Sequence, residues 1–217
     1  ADICSGCPTG QVLQSSNCIP CTLGQAATGV NAACTNCIAG QYQDQNAATA
    51  YSCKSCGTGT YGDQTGQSTE STACKLCAKG RWSSASAAQS CTACGKGKYN
   101  TQNGRSAASD CDNCGAGKYN DNQASQAESN CKSCSTGKYN AATGSTASSA
   151  CINCGTQTFS TTPASQTSSN CKACPTGYNQ PSTGQQSCPL NSCNCPTTGG
   201  TGTTGTACPV TGSNKCA

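Results

Sequence analysis

Cys-x-x-Cys pairs recur along this chain at nearly fixed intervals, and that periodicity limits the folds open to it. Pairs begin at Cys34, Cys53, Cys74, Cys91, Cys111, Cys131, Cys151 and Cys171, in steps of 19, 21, 17, 20, 20, 20 and 20 residues. Two further pairs, Cys4/Cys7 and Cys18/Cys21, open the chain at shorter spacing. Self-similarity of this kind reads as a stack of small modules, each too small to stand alone. Each unit runs C-x-x-C-x-x-G-x-aromatic and then a polar stretch. Gly40/Tyr42, Gly59/Tyr61, Gly80/Trp82, Gly97/Tyr99, Gly117/Tyr119 and Gly137/Tyr139 all fit. Gln157/Phe159 keeps the ring and loses the glycine, Gly177/Tyr178 moves the ring one place forward, and Gly10/Val12 lacks it.

Composition explains why the modules need cysteine. Of 217 residues, 25 are Cys, while Phe and Trp occur once each, Tyr seven times and Met never. The apolar class is 34% of the chain, and cysteine supplies much of it. No single oily core can be assembled from this inventory, so cross-links must replace burial. So many thiols in a weakly charged, Ser/Thr-rich chain point to an oxidising, extracellular setting. Charged residues are 9% and the net charge is +4, too sparse for the basic stripe of a nucleic-acid binder. No apolar run is long enough to span a bilayer. The absence of an initiator Met makes Ala1 the expected start of a mature chain.

Spacing ranks the disulfide pairings without fixing them. A bridge inside one Cys-x-x-Cys is tight and belongs to redox sites. The preferred scheme joins the second cysteine of one pair to the first of the next: Cys7–Cys18, Cys21–Cys34, Cys37–Cys53, Cys56–Cys74, Cys77–Cys91, Cys94–Cys111, Cys114–Cys131, Cys134–Cys151, Cys154–Cys171 and Cys174–Cys188. The alternative links each cysteine to the second one along, as an interlocked ladder. The preferred scheme leaves Cys4, Cys193, Cys195, Cys208 and Cys216, an odd number. These are candidates for free thiols or bridges between chains, joining neighbours head to tail.

The repeated phrase also has a mechanical reading. The cysteine anchors a loop, and the glycine turns the chain at positive φ. The aromatic then lies over a disulfide as a minimal core. The position four before the next pair (Thr49, Glu70, Ala87, Ala107, Ala127, Ala147, Thr167) is small in six of seven units, which lets the returning chain pass the disulfide closely. Alternation as in Lys98-Tyr99-Asn100 suits a short strand, and no segment has sustained helical periodicity. The expected fold is a small disulfide-rich repeat protein. It is an elongated tandem array of ~20-residue modules with short β-hairpins and little regular secondary structure. Residues 1–33 form short-spaced cysteine modules, 34–174 the regular repeats, and 175–217 a divergent cap with a Thr/Gly-rich segment.

Catalytic and metal chemistry find little footing. Two Cys-x-x-Cys pairs at this spacing formally match a zinc ribbon. Here, however, pairs run on continuously, each second cysteine leads into the same phrase, and His is absent. No cofactor is expected, and no enzyme. Asp44, Asp63, Glu70, Asp110, Asp112, Asp121 and Glu128 are scattered and read as solvated loop positions. Lys96, Lys98, Lys118 and Lys138 flank the turn glycines, as solvated turn residues or as a shallow basic ridge for acidic glycans. Standard N-x-S/T sequons do not occur; Asn191 and Asn214 fit only the rare N-x-C form. Expected glycans are therefore O-linked, and residues 196–206 have the composition of a flexible or O-glycosylated linker.

The C-x-x-C-x-x-G-x-Y unit resembles the cysteine-rich modules of TNF receptors and ephrin receptors. That resemblance implies that the cysteine before G-x-Y pairs with the next one downstream. Across nearly the whole chain the sequence is more similar to the surface immobilization antigens of ciliates. The stretch "CKSCSTGKYNAATGSTASSAC" (Cys131 to Cys151) and the closing "NKCA" carry that likeness. It implies an abundant extracellular cell-coat protein without a catalytic site, held by a lipid anchor at Ala217. Self-association, into fibres or with neighbouring coat proteins, is the expected partnership. The alternative is a receptor-like ectodomain that binds a protein or glycan ligand along its modules.

Overall fold

The computed structural model describes residues 6–45 and 52–190. Cys4, Cys193, Cys195, Cys208, Cys216, Ala217, Thr49, both N-x-C sites and the 196–206 linker lie outside the described residues. The chain divides into two compact units that interleave along the sequence. The first comprises Ala1–Cys94, Tyr99–Asp112 and Ala124–Gln126. The second comprises Gly95–Lys98, Asn113–Gln123 and Ala127–Ala217.

The repeating element is a two-residue antiparallel hairpin, and the two residues inside each Cys-x-x-Cys form its second strand. In the first unit Thr35–Asn36 pairs with Gln25–Ala26, Lys54–Ser55 with Gln41–Tyr42, Lys75–Leu76 with Thr60–Tyr61, and Thr92–Ala93 with Arg81–Trp82. In the second, Lys132–Ser133 pairs with Lys118–Tyr119, Ile152–Asn153 with Lys138–Tyr139, and Lys172–Ala173 with Thr158–Phe159. A longer hairpin, Gln11–Gln14 with Asn17–Pro20, stands near the start of the first unit.

This placement explains the disulfides. Side chains alternate along extended backbone, so two cysteines three residues apart point to opposite faces. They cannot close on each other without breaking the strand, and each finds its partner elsewhere. Ten bridges join the second cysteine of one pair to the first of the next: Cys7–Cys18, Cys21–Cys34, Cys37–Cys53, Cys56–Cys74, Cys77–Cys91, Cys94–Cys111, Cys114–Cys131, Cys134–Cys151, Cys154–Cys171 and Cys174–Cys188. Closing a loop of ~15 residues contributes about 3 kcal/mol in the chain-entropy model. Among the described residues, the buried apolar ones besides cysteine are Ala26, Ala27, Tyr42 and Ala73. Cross-linking therefore outweighs apolar side-chain burial.

Five of the described return limbs end in one helical turn before the next pair. The turns at Ala108–Asp110, Glu128–Asn130, Ser148–Ala150 and Ser168–Asn170 are 3-10, and Glu70–Ala73 is α-helical. The small residues four before the pair have a further role that the sequence did not suggest. Ala107, Ala127, Ala147 and Thr167 are the extended N-cap residues of these turns. Side chains from the turns reach back to them. Asp110 Oδ2 accepts from the Ala107 N–H at 2.9 Å, and Asn130 Oδ1 from the Ala127 N–H at 3.0 Å.

The turn glycine has two reasons to be glycine. The Lys118 N–H donates to the Gly115 carbonyl at 3.2 Å, closing a β-turn whose third residue, Gly117, has φ +79. That φ is the one a type II turn requires there. A Cβ on Gly117 would also lie 2.0 Å from the carbonyl oxygen of Ala164, two modules ahead. The same approach recurs in both units, from Gly24 to Gly66 and Gly80 to Ala124 in the first, and from Gly97 to Gly144 and Gly137 to Gly184 in the second. Gln157 takes the turn at φ +57 without a glycine. Its counterpart two modules on would fall beyond residue 190, outside the described residues.

Candidate functional site

The second cysteine of each pair is the joint of the array. In the second unit the Cys134 N–H donates to the Gly117 carbonyl of the preceding module at 2.8 Å. Its own carbonyl accepts from the Ala164 N–H of the following module at 2.9 Å, and its sulfur is bonded to Cys151. Cys77 does the same in the first unit, with Gly59 behind it, Gly104 ahead and Cys91 across the bridge. Both cysteines are buried. One residue thus ties its module backward by a hydrogen bond and forward by a hydrogen bond and a covalent link. No buried backbone polar group is left over at this joint.

The aromatic residue is not the general core that the sequence suggests. Tyr42 does pack against the disulfide of the next module, in a cluster with Cys56, Cys74 and Ala73. Tyr61, Trp82, Tyr99, Tyr119, Tyr139, Phe159 and Tyr178 are only half-buried. The side chain that goes fully inside is the one after the ring: Gln43, Ser83, Asn100, Asn120, Asn140 and Ser160. The interior beside the disulfides is lined by peptide groups, so a buried side chain must offer both a donor and an acceptor. Asn120 does so. Its Nδ2 donates to the Lys98 carbonyl at 3.0 Å and its Oδ1 accepts from the Asn122 N–H at 3.1 Å. Asn140 repeats the arrangement with Lys118 and Ala142. The thrice-repeated "KYN" carried this signal, in the polar residue that follows the ring.

Asp44, Asp63, Glu70, Asp112, Asp121 and Glu128 are exposed, as expected, and Asp110 is half-buried; what the sequence did not show is that several of them form surface ion pairs. Asp44, Asp63 and Asp121 stand two residues after a ring and pair with Lys54, Lys75 and Lys132 at 2.7 to 2.8 Å. Each of these lysines lies directly opposite the ring in its hairpin. Lys54 and Lys132 stand 5.8 and 6.0 Å from the Tyr42 and Tyr119 ring centres. The lysine hydrogen bond, first, and its charge hold the three carboxyls below their ordinary range, and raise the three ammonium groups correspondingly. Arg105 and Asp110 pair at 3.7 Å, and Lys118 and Glu128 at 2.9 Å. The Tyr42 hydroxyl donates to Glu70 at 3.4 Å. Desolvation first, then the Glu70 charge, raises the Tyr42 pKa.

Charge is unequally divided between the two units. The described part of the first carries Lys54, Lys75, Lys79, Arg81 and Arg105 against Asp44, Asp63, Glu70, Asp110 and Asp112, five of each sign. The described part of the second carries Lys96, Lys98, Lys118, Lys132, Lys138 and Lys172 against only Asp121 and Glu128. Exposed apolar side chains divide the other way. Leu13, Ile19, Leu23, Val30, Ile38 and Leu76 belong to the first unit, and Ile152 and Leu190 to the second.

Of the four lysines read as solvated turn residues or, alternatively, as a basic ridge, Lys98, Lys118 and Lys138 hold equivalent places in successive modules, and Lys96 precedes the turn glycine. The Asn120 and Asn140 bonds to the Lys98 and Lys118 carbonyls put neighbouring lysine strands side by side. Lys138 lines a recess of about 120 Å³ in the second unit with Tyr119, Ser133, Ser135, Ser148 and the Cys134–Cys151 bridge.

All described cysteines are consumed in bridges, so the zinc-ribbon reading has no thiolates to use. Among the described residues no group of three His, Cys, Asp or Glu converges as metal ligands would. No helix among them is long and apolar enough to cross a membrane. The disulfide repeat is consistent with an extracellular surface or receptor-like protein. Comparison with protein-family models and with curated proteins finds no match to this chain.

Proposed function

We propose that the protein is a structural component of an extracellular cell-surface coat, similar to an immobilization antigen, with a physical rather than a catalytic role. The observation that carries the reading is the joint described above. Every regular module has its own covalent loop, and the cysteine that closes it is also hydrogen-bonded to the modules on either side. Such a chain resists proteolysis because local opening of one loop does not free its neighbours. Lateral association with neighbouring coat proteins, bridges through Cys4 or the terminal cysteines, O-linked glycans and retention by a lipid on Ala217 belong to the same proposal. The test is electron microscopy of native material, paired with intact mass and non-reducing electrophoresis. An ordered layer or fibre with surface-accessible protein is expected. A dispersed, unmodified monomer found inside cells would sink the reading.

One observation favours a receptor-like second reading. Five of the exposed large apolar side chains lie between residues 13 and 38, and exposed apolar residues that share one patch mark protein-binding surfaces. Capture of a specific protein partner by the folded chain, lost on changing Leu23 and Val30 to Ser, would favour it over the coat.

A further inference from the structure

Successive modules treat the same lysine differently. In the Lys118 module the first residue of the 3-10 turn is Glu128, and its carboxylate sits 2.9 Å from the Lys118 ammonium. One module on, the equivalent lysine is Lys138 and the equivalent turn residue is Ser148. Ser148 brings a hydroxyl where Glu128 brings a carboxylate, so no carboxylate stands beside Lys138 among the described residues. The Ser148 side lines a recess of about 120 Å³ together with Lys138, Ser133, Ser135 and Tyr119. Three serines, a tyrosine and a lysine thus line a space of the size of one small anionic group, beside the Cys134–Cys151 bridge. An isolated pair of this kind is weak in water.

We infer that this recess binds an anionic group, sulfate or carboxylate, of an acidic polysaccharide, in the place that Glu128 fills for Lys118. The neighbouring lysine strands supply a track for the rest of the polymer. Among the described residues Lys98 forms no ion pair either, and the residue equivalent to Glu128 in its module is Ala108. Lys98, Lys118 and Lys138 are half-buried, which suits long cationic side chains whose stems can be covered while the charged head stays in water. The second unit's excess of six lysines over two carboxylates adds long-range attraction that falls with salt. A polysaccharide suits this face better than a nucleic acid, because the rings that would stack with bases are half-buried in the hairpins. The inference concerns this face alone and does not depend on the chain assembling into a coat.

Two exchanges between the modules test it. Ser148→Glu gives Lys138 the internal carboxylate that Lys118 already has, and Glu128→Ser removes that carboxylate from Lys118. Both residues are exposed, and apart from the Glu128–Lys118 surface pair it is their backbone carbonyls that are engaged, by the Cys151 and Cys131 N–H groups. Ser148→Gln controls for size, and circular dichroism checks folding. Binding to immobilised dextran sulfate and to polygalacturonate is measured at low and high salt, with neutral dextran and single-stranded DNA as comparisons. S148E should bind the acidic polymers up to about fivefold more weakly at low salt, E128S more tightly by a similar factor, and S148Q like the wild type. A preference for dextran sulfate assigns sulfate as the anion, and a preference for polygalacturonate assigns carboxylate. Unchanged binding in S148E and E128S, equal binding of neutral dextran, or stronger binding of DNA than of either acidic polymer overturns the proposal.

Discussion

The two units use the same module and differ in what surrounds it. The first has irregular spacing, an α-helical turn, a ring seated on a disulfide, balanced charge and exposed apolar side chains. The second has 20-residue steps and an excess of lysine, and the 3-10 turn and buried asparagine that recur in it appear once in the first, at Ala108–Asp110 and Asn100. Yet the joint cysteine and the glycine contact two modules ahead are common to both. The contrast teaches that the backbone ladder and the disulfides are the invariant part. What the surface presents, apolar or cationic, is free to vary over it.

If that division holds, reduction should erase the difference between the units. With thiol present, both should lose circular dichroism signal and protease resistance together. Each loop of ~15 residues forfeits about 3 kcal/mol, and ten such losses exceed the usual stability of ~5–15 kcal/mol even if they add only partly. A reduced sample that keeps either unit protease-resistant would break the account.

The next largest effect is at the turn glycine. Gly117→Ala meets both a positive φ and an oxygen at 2.0 Å, whereas a Cβ on Gly115 would meet nothing within 4 Å. Strain and overpacking together should destabilise Gly117→Ala by about 2–5 kcal/mol, with Gly115→Ala near neutral. Gly24→Ala, 2.2 Å from the Gly66 oxygen, should behave like Gly117→Ala if the ladder is shared. Urea midpoints of the three variants decide this. An unaffected Gly24→Ala would make the contact specific to the second unit.

Buried polar side chains come third. Asn120→Ala removes hydrogen bonds to two backbone groups and leaves the Lys98 carbonyl without that donor, for a loss of about 1–3 kcal/mol. Ser83, whose hydroxyl makes a single 3.3 Å bond to the Ala85 carbonyl, should lose less on changing to Ala. Equal midpoints for Asn120→Ala and Ser83→Ala would remove this distinction between asparagine and serine at the position after the ring.

The surface ion pairs give the smallest effect, and its sign follows from the shifts. Asp44, Asp63 and Asp121 have carboxyls lowered on folding, first by their lysine hydrogen bonds. Their contribution is therefore present above the unfolded carboxyl pKa and disappears as pH falls through the folded values. Lys54, Lys75 and Lys132 are raised, so their contribution is lost as pH rises through the folded ammonium values. Two of the three pairs are in the first unit, and acid should loosen that unit slightly more. NMR titration of the aspartate carboxyls at low and high salt would show it. Carboxyls that titrate at their unfolded positions would dismiss the pairs as fixed features.

Much of this was legible before any coordinates. The Cys-x-x-Cys period marks the modules, and the glycine three after the second cysteine marks a turn at positive φ. The part played by Asn100, Asn120 and Asn140 was harder to see, because a polar residue after an aromatic looks like the solvent side of a strand. Only the closeness of the peptide groups makes it the inside. The Lys118–Glu128 pair, and its absence at Lys138, needed the 3-10 turn to bring residues ten apart together.

The sequence by itself determined the module, its repeat length and its dependence on sulfur, since a chain so poor in apolar side chains has no other means of confinement. Tertiary structure decided which atoms are inside. It set each glycine against a carbonyl two modules away and seated asparagine, not tyrosine, among the peptide groups. The reason is that hydrogen-bond satisfaction in a narrow, backbone-lined interior depends on distances between segments, and a linear pattern does not contain them.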